Sequence, residues 1–340
     1  MPYHPLVPTR PLGLTATLFA AVVAIAASAQ QSGSGLQLAS QQPPPSWAFA
    51  VDPPNASQKP AGNTPQHVPG SKLVFTDAQI ADLFSVPDWH PDTHPKMPDV
   101  VAHGRKPDVY ACGYCHLPNG LGRPENANLA GLPAEYILQQ MTALQSGVRK
   151  SSDPKLLPVN FMISVAAHAD EKEVRAAAAY FSALRPKPWI RVVEAATVPK
   201  THVAGWMLVE DQPVVQEPIG QRIIETPENL ERTELRDDTS GFIAYVPPGS
   251  LKRGKELVTK GGDGVTMPCA MCHGGDLRGT YKDYVPSIAG RSPSYTVRQL
   301  YDLQVGARGG AGTSLMQAPV MKLTLDDMVA IAAYLASLRP

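Results

Sequence analysis

Residues 170–184 repeat apolar side chains at the spacing of an amphipathic helix. The apolar positions are Val174, Ala177, Ala178, Phe181 and Leu184. Residues three or four positions apart share one face of a helix, so the pattern predicts a helix with a buried face. Asp170 is suited to cap its N-terminus, with Glu173 reaching back as in a capping box.

The end of the chain carries the same pattern. Its apolar positions are Met328, Ile331, Ala332, Leu335 and Leu338. Thr324 is suited to cap this second helix. The two helices close related segments, "MISVAAHADEKEVRAAAAYFSALRP" from Met162 and "MQAPVMKLTLDDMVAIAAYLASLRP" from Met316.

A second pair of segments extends this repeat. "LAGLPAEYILQQMTALQSGVR" ends at Arg149, and "IAGRSPSYTVRQLYDLQVGAR" ends at Arg308. Both contain Ala-Gly, a tyrosine (Tyr136 or Tyr295), Leu-Gln and Gly-x-Arg. A repeat of this length predicts a duplicated domain.

The N-terminus has the pattern of an export signal. Arg10 precedes the apolar run "LGLTATLFAAVVAIAA", which leads into Ala27-Ser28-Ala29, an A-x-A cleavage site. We predict a signal peptide over residues 1–29, with an uncleaved membrane anchor as the alternative. The run is short and Ala-rich for a spanning helix, so the mature protein is expected to be periplasmic and not membrane-spanning.

Composition and charge narrow the function further. The chain has 30 basic and 30 acidic residues, and this balance gives no indication of a nucleic-acid partner. Its 35 prolines in 340 residues are about twice the average usage of roughly 5%.

Residues 30–71, rich in Pro, Ser and Gln, are predicted to form a disordered tether. Residues 187–247 are too long for a plain connection and contain β-branched runs, which predict an inter-domain segment with short strands.

All four cysteines fall in two Cys-x-x-Cys-His motifs. The first is Cys112, Cys115 and His116, and the second is Cys269, Cys272 and His273. This motif is typical of covalent c-type haem attachment. The two thiols bond to the haem, and the adjacent histidine ligates one face of the iron.

The cysteines allow two other interpretations. A thioredoxin-like dithiol needs a buried strand before the motif and a helix that begins at it, whereas "HGRKPDV" and "LPNGLG" around the first motif are typical of loops. A zinc site is disfavoured because Cys115 and Cys269 are too far apart for zinc-ribbon spacing, which is about 15–20 residues. Zinc would also leave the repeated histidine unexplained.

The order of these features resembles class I cytochrome c: an attachment motif, a later methionine and a closing helix that ends in Tyr-x-x-x-Leu. The resemblance covers residues 72–186 and 248–340, and it is closest to two-haem periplasmic cytochromes built from tandem class I domains. It implies an all-α fold with two haem c groups. It also implies His116 and Met162 as ligands of one iron, and His273 and Met316 as ligands of the other.

Alternative ligands remain open at both sites. Met321 competes with Met316, and His168 competes with Met162.

In class I domains a proline carbonyl commonly accepts a hydrogen bond from the axial histidine. Pro286 lies at that place in the second half, whereas the first half has Ala127, which leaves the partner of His116 in doubt.

Other repeated or ionisable side chains have less specific interpretations. The repeated tyrosines and arginines either position haem propionates or pack the helices. His90, His94 and His103 lie in a Pro-rich approach segment and are expected to be solvated.

The function expected from this resemblance is electron transfer without catalytic residues. The donor would be a periplasmic dehydrogenase or a membrane respiratory complex, and the acceptor an oxidase or another cytochrome. Two alternatives are a cytochrome subunit of a dehydrogenase complex and a peroxidase-like two-haem enzyme with one labile axial site. The repeated methionine argues against the enzyme.

Overall fold

A computed structural model describes residues 43–54, 62–280, 282 and 284–340. The predicted export signal and part of the predicted tether lie outside these residues. The described part of the chain is mainly helical with short strands, which confirms the predicted fold class. None of its helices is both long and apolar enough to cross a membrane.

Most of the helices lie in the two halves, residues 72–186 and 248–340. Most of the strands lie between the halves, in residues 187–247. The helices are α1 Asp77–Ile80, α2 Asp99–Ala102, α3 Cys112–His116, α4 Ala134–Gln145, α5 Leu157–His168, α6 Glu171–Ala183, α7 Leu230–Glu234, α8 Ser250–Lys260, α9 Ala270–His273, α10 Pro293–Gln304, α11 Thr313–Val320 and α12 Leu325–Ser337. The strands are β1 Pro65–Gln66, β2 Phe75–Thr76, β3 Ile190–Glu194, β4 Thr197–Pro199, β5 Thr201–Ala204, β6 Met207–Glu210, β7 Gln216–Pro218, β8 Ile224–Pro227 and β9 Phe242–Val246.

The two closing helices, α6 and α12, have the predicted caps. Asp170 accepts from the backbone N–H of Glu173, whose carboxylate accepts from the N–H of Asp170, both at 2.8 Å. Thr324 and Asp327 form the equivalent box on α12. Each box satisfies N–H groups that the first turn of a helix leaves without an intrahelical partner.

Each closing helix also buries the predicted apolar face. In the first half, Phe181 and Ala178 of α6 pack with Ile137 of α4 in one core cluster. In the second half, Ile331 of α12 packs with Leu257 of α8 in another. In both halves, the closing helix therefore contributes its apolar face to the core.

The middle segment forms a three-stranded sheet that contributes to both cores. β9 pairs in parallel with β3 and antiparallel with β8. Phe242 of β9 lies in the first-half cluster, whereas Ala244 and Val246 lie in the second-half cluster. Strands β4 and β7 form one further antiparallel pair, and β5 and β6 form another.

Residues 43–54 differ from the expectation of a disordered tether. Phe49 is 2% exposed and makes an edge contact with Tyr301 of α10, with ring centroids 5.7 Å apart. The carbonyl of Ala48 accepts a hydrogen bond of 2.6 Å from buried Arg298. The Pro-rich composition concealed a short apolar anchor, "WAFA", which removes apolar surface from water.

Candidate haem sites

The first motif lies on α3, where His116 is buried. Its Nδ1 lies 2.8 Å from the carbonyl oxygen of Ala127. This geometry assigns the proton to Nδ1 and leaves Nε2 as the ring nitrogen that can ligate a metal. Burial lowers the pKa of His116, which favours the neutral imidazole that ligation requires.

The second motif begins at Cys269, the N-cap of α9, and ends with His273, the last residue of that helix. It repeats the arrangement of the first motif. Nδ1 of His273 lies 2.9 Å from the carbonyl oxygen of Pro286, and burial lowers the pKa of this histidine as well. The substitution of alanine for proline in the first half therefore leaves the hydrogen bond intact. The acceptor is a main-chain carbonyl, which any residue supplies when the loop keeps its course.

The thiol environments are opposite to those of a disulfide-exchange site. Burial raises the pKa of Cys112 to about 12 and of Cys269 to about 11, and it also raises the pKa of Cys115. Exchange enzymes lower the pKa of the attacking thiol. These thiols instead lie in apolar surroundings that suit bonds to a flat apolar ring.

A largely apolar cavity opens beside the first motif. Its walls include Cys112, Cys115, His116 and Met162. The apolar part of the wall includes Leu83, Val100, Val109, Ile137, Val165 and Phe181. Its apolar wall, two thiols and convergent histidine fit a covalently bound haem.

Met162 and His168, the competing ligand candidates of the first half, are placed differently. Met162 lies within α5 and lines the cavity, whereas His168 ends that helix and does not line it. His168 is exposed, with Nδ1 2.8 Å from the carbonyl of Ser164.

The second half is more open around its motif. Cys269 is half-buried and Cys272 is exposed. Met316 lies on α11 and packs against the same core cluster as Cys269. Met321 follows α11 and is 42% exposed. The loop before the motif is tied to α11 by a hydrogen bond of 2.7 Å from Thr266 to the carbonyl of Pro319.

The motif spacing gave no indication of two residues from the middle segment that line the first cavity. Arg236 lies 3.6 Å from the ring centroid of Tyr114 and donates to the Tyr114 carbonyl at 2.8 Å. Trp206, at the turn between β5 and β6, packs against Phe161 with ring centroids 5.8 Å apart. Sequence spacing could not reveal these contacts because they join positions far apart in the chain.

The repeated tyrosines and arginines meet where the two halves join. Arg149 donates to the hydroxyl of Tyr295 at 3.2 Å, and Arg308 donates to the hydroxyl of Tyr136 at 2.8 Å. The two arginines also pair through their backbones as an antiparallel bridge. The repeat thus forms an interface with each half supplying one arginine and one tyrosine.

Two of the three approach-segment histidines are not solvated as expected. The side chain of His94 is 3% exposed, with Nε2 3.1 Å from Asp88, and that of His90 is 11% exposed, with Nε2 3.2 Å from Asp237. The hydrogen bond to Asp88 raises the pKa of His94 despite burial. His90 contacts Asp237 of the middle segment, and His94 contacts Tyr180 of α6. Local composition does not indicate either contact.

A helical fold with two Cys-x-x-Cys-His motifs, and an apolar cavity beside the first of them, defines a protein that attaches c-type haem. The family description "Cytochrome c" matches residues 251–339. The cytochrome subunit of sulfide dehydrogenase from Chlorobaculum tepidum is 30% identical over 99 residues, which cover 29% of this chain and 84% of that protein. The chain belongs to the cytochrome c family, whose members carry covalently bound haem c.

Two further similarities each cover about two thirds of the chain. The thiosulfate dehydrogenase electron acceptor from Thiomonas intermedia is 23% identical over 235 residues, covering 68% of this chain and 80% of that protein. The crystal structure of reduced recombinant cytochrome c4 from Pseudomonas stutzeri aligns with a TM-score of 0.44 and 21% identity, covering 67% of this chain and 93% of that one.

Proposed function

We propose that this protein is a periplasmic electron carrier with two covalently bound haem c groups, each of which carries one electron. Cys112 and Cys115 attach the first haem, and Cys269 and Cys272 attach the second. His116 and Met162 ligate the first iron. His273 and Met316 ligate the second.

The observation that carries this proposal is the shared cavity of the first half. The two thiols, His116 and Met162 line one apolar space. The sequence repeat places Met316 where the first half has Met162. Methionine at the sixth position of a haem iron is typical of electron-transfer cytochromes, whereas an open position permits binding and catalysis.

The residues of the chain prepare both sites for this role. The carbonyls of Ala127 and Pro286 hold His116 and His273 in one tautomer and orientation. The wall of the first cavity is largely apolar, and low polarity around an iron centre affects its reduction potential. The Arg–Tyr interface holds the two halves together, which suits electron transfer between two centres in one chain.

A dehydrogenase is the proposed electron donor. One similar protein is named as the electron acceptor of thiosulfate dehydrogenase, and another as the cytochrome subunit of sulfide dehydrogenase. These names also favour the alternative of a permanent cytochrome subunit. Purification from native periplasm separates the two: a dehydrogenase that stays bound through size-exclusion chromatography favours the subunit, and a lone cytochrome favours the free carrier.

The proposal is tested by the visible spectrum of the protein made in a haem-attaching periplasm, recorded oxidised, reduced, and reduced under carbon monoxide. We expect two haems per chain, low-spin c-type bands and no change with carbon monoxide. One haem per chain would contradict the two-haem assignment. A haem that bound carbon monoxide readily would contradict methionine ligation at that site and favour the redox enzyme.

A further inference from the structure

Corresponding positions of the two motifs differ sharply in exposure. The residue before the second cysteine is Tyr114 in the first half and Met271 in the second. Tyr114 is 6% exposed, whereas Met271 is 69% exposed. The adjoining cysteine of the second half, Cys272, is also exposed. The sulfur that would attach the second haem is therefore at the protein surface.

The same asymmetry occurs on the methionine side. Phe161 and Leu315 each precede the proposed methionine ligand, at matching positions of the repeat. Leu315 is 78% exposed. Phe161 is half-buried between Tyr110 and Trp206, with ring centroids 6.1 Å and 5.8 Å away. At both positions the first site is therefore more covered than the second.

The covering residues come from the middle segment, 187–247. Arg236 covers Tyr114 by a ring contact and a hydrogen bond. The chain beside it is fixed, because the carbonyl of Leu235 accepts a hydrogen bond of 2.7 Å from Trp89. The backbone N–H of Trp206 donates to Asp52 at 3.1 Å. These contacts attach Arg236 and Trp206, the covering residues, to the first half and to residues 43–54.

We propose that electrons enter and leave the protein through the second haem, at the surface around Met271 and Leu315, and that the first haem exchanges electrons only through the second. This inference rests on the proposed function. Electron tunnelling weakens steeply with the distance between cofactor edges. The layer formed by Arg236 and Trp206 holds any external redox partner away from the first site. At the second site the described residues leave the corresponding positions open.

Ferricyanide, a small trivalent anion, tests this by electrostatics. Each ferricyanide takes one electron and becomes ferrocyanide, so two oxidise a fully reduced chain. A charge placed near the exchange site changes the rate of this reaction, and a charge placed far away does not. The repeat supplies a matched pair of positions, Asn160 and Ser314, each two residues before the proposed methionine ligand and each exposed.

We expect Ser314→Glu to slow oxidation by about two- to threefold at an ionic strength of about 0.1 M, and Ser314→Lys to speed it similarly. This magnitude follows from one charge acting on a trivalent anion at about 10 Å in screened water. Asn160→Glu and Asn160→Lys change the net charge by the same amounts and are expected to leave the rate nearly unchanged. Equal effects at the two positions, or a larger effect at Asn160, would overturn the inference.

The cover itself is tested in the same assay. Trp206→Ala should expose the first site and make the rate sensitive to Asn160→Glu in the double variant. No gain in sensitivity would show that Trp206 does not limit access. Haem content and the carbon monoxide test are recorded on every sample. Loss of either signature counts against the proposed function, whereas intact spectra with equal charge effects count against the exchange site alone.

Discussion

Gly254 of α8 lies directly against the carbonyl oxygen of Ala330 of α12, where the two helices cross. A Cβ on Gly254 would overlap that oxygen and would also press on the side chain of Tyr334. Only glycine allows the helices to approach this closely. The contact sets the position of the closing helix, and with it the core beneath the second haem site.

Gly254→Ala should therefore destabilise the protein by about 1–3 kcal/mol or more, as overpacking of a dense core does. The control is Gly275→Ala, because a Cβ there has no neighbour within 4 Å and the position does not need a positive φ. Chemical denaturation followed by helical circular dichroism measures both. Equal midpoints for the two variants would show that the crossing tolerates a methyl group.

The assignment of methionine ligands predicts separable losses at the two sites. Met162→Ala should open the first haem to carbon monoxide, and Met316→Ala should open the second, because each removes the sixth ligand. Met321→Ala is the control, since this competing residue is 42% exposed. Absorbance titration with carbon monoxide counts the sites that open. Binding in the Met321 variant but not in the Met316 variant would reassign the second ligand.

Removal of the tyrosine hydroxyl from each of the two Arg–Tyr pairs should lower the free energy of unfolding by unequal amounts. Burial alone would raise the pKa of Tyr136, but the charges of Arg308 and Arg149 outweigh it and lower this pKa. Tyr136→Phe removes a charge-assisted hydrogen bond of 2.8 Å and should cost about 1–3 kcal/mol of unfolding free energy. The loss leaves Arg308 with only a long contact of 3.4 Å to Gln140 among the side-chain hydrogen bonds described for its guanidinium.

Tyr295→Phe is the matched variant and should cost less, under about 1 kcal/mol. Arg149 keeps hydrogen bonds to Gln140 at 2.9 Å and to Gln299 at 3.2 Å when the tyrosine hydroxyl is lost. Denaturant midpoints and m-values distinguish the pair. A larger loss for Tyr295→Phe than for Tyr136→Phe would reverse the assignment of the stronger contact.

Asp238 predicts a specific dependence of stability on pH. Burial raises its pKa to about 6, with the nearby charge of Asp237 adding to the shift, while His90 and His94 oppose it. The carboxyl is protonated more readily in the folded than in the unfolded chain. Its contribution to stability is therefore complete below about pH 4, is lost as the pH rises to about 6, and stays lost above that value.

Asp238→Asn removes the buried charge and should stabilise the protein at pH 7 by about 2–3 kcal/mol, from about 1.36 kcal/mol per pKa unit. The difference between the two proteins should vanish near pH 4. The pKa of His94 is also raised, first by its hydrogen bond to Asp88 and least by the charge of Asp238. Because Asp88 is present in both proteins, most of the His94 effect cancels in the difference. A difference that is constant from pH 4 to pH 7 would contradict the raised pKa.

The sequence by itself determined the features that depend on local chemistry. Helical periodicity and capping residues are read along one segment, so the caps of α6 and α12 and their buried faces were predictable from Asp170, Thr324 and the apolar stripes. The Cys-x-x-Cys-His motifs are equally local. The internal repeat that includes these motifs predicts two related halves without any information about contacts between them.

Only the tertiary structure decided which distant segments meet. Arg236 and Tyr114 are 122 positions apart, and no periodicity or spacing relates them, because their contact depends on the path of an irregular segment. The hydrogen bond from His116 to the carbonyl oxygen of Ala127 also could not be predicted from the sequence. A main-chain acceptor is independent of side-chain identity, so the change from proline to alanine carried no information about it.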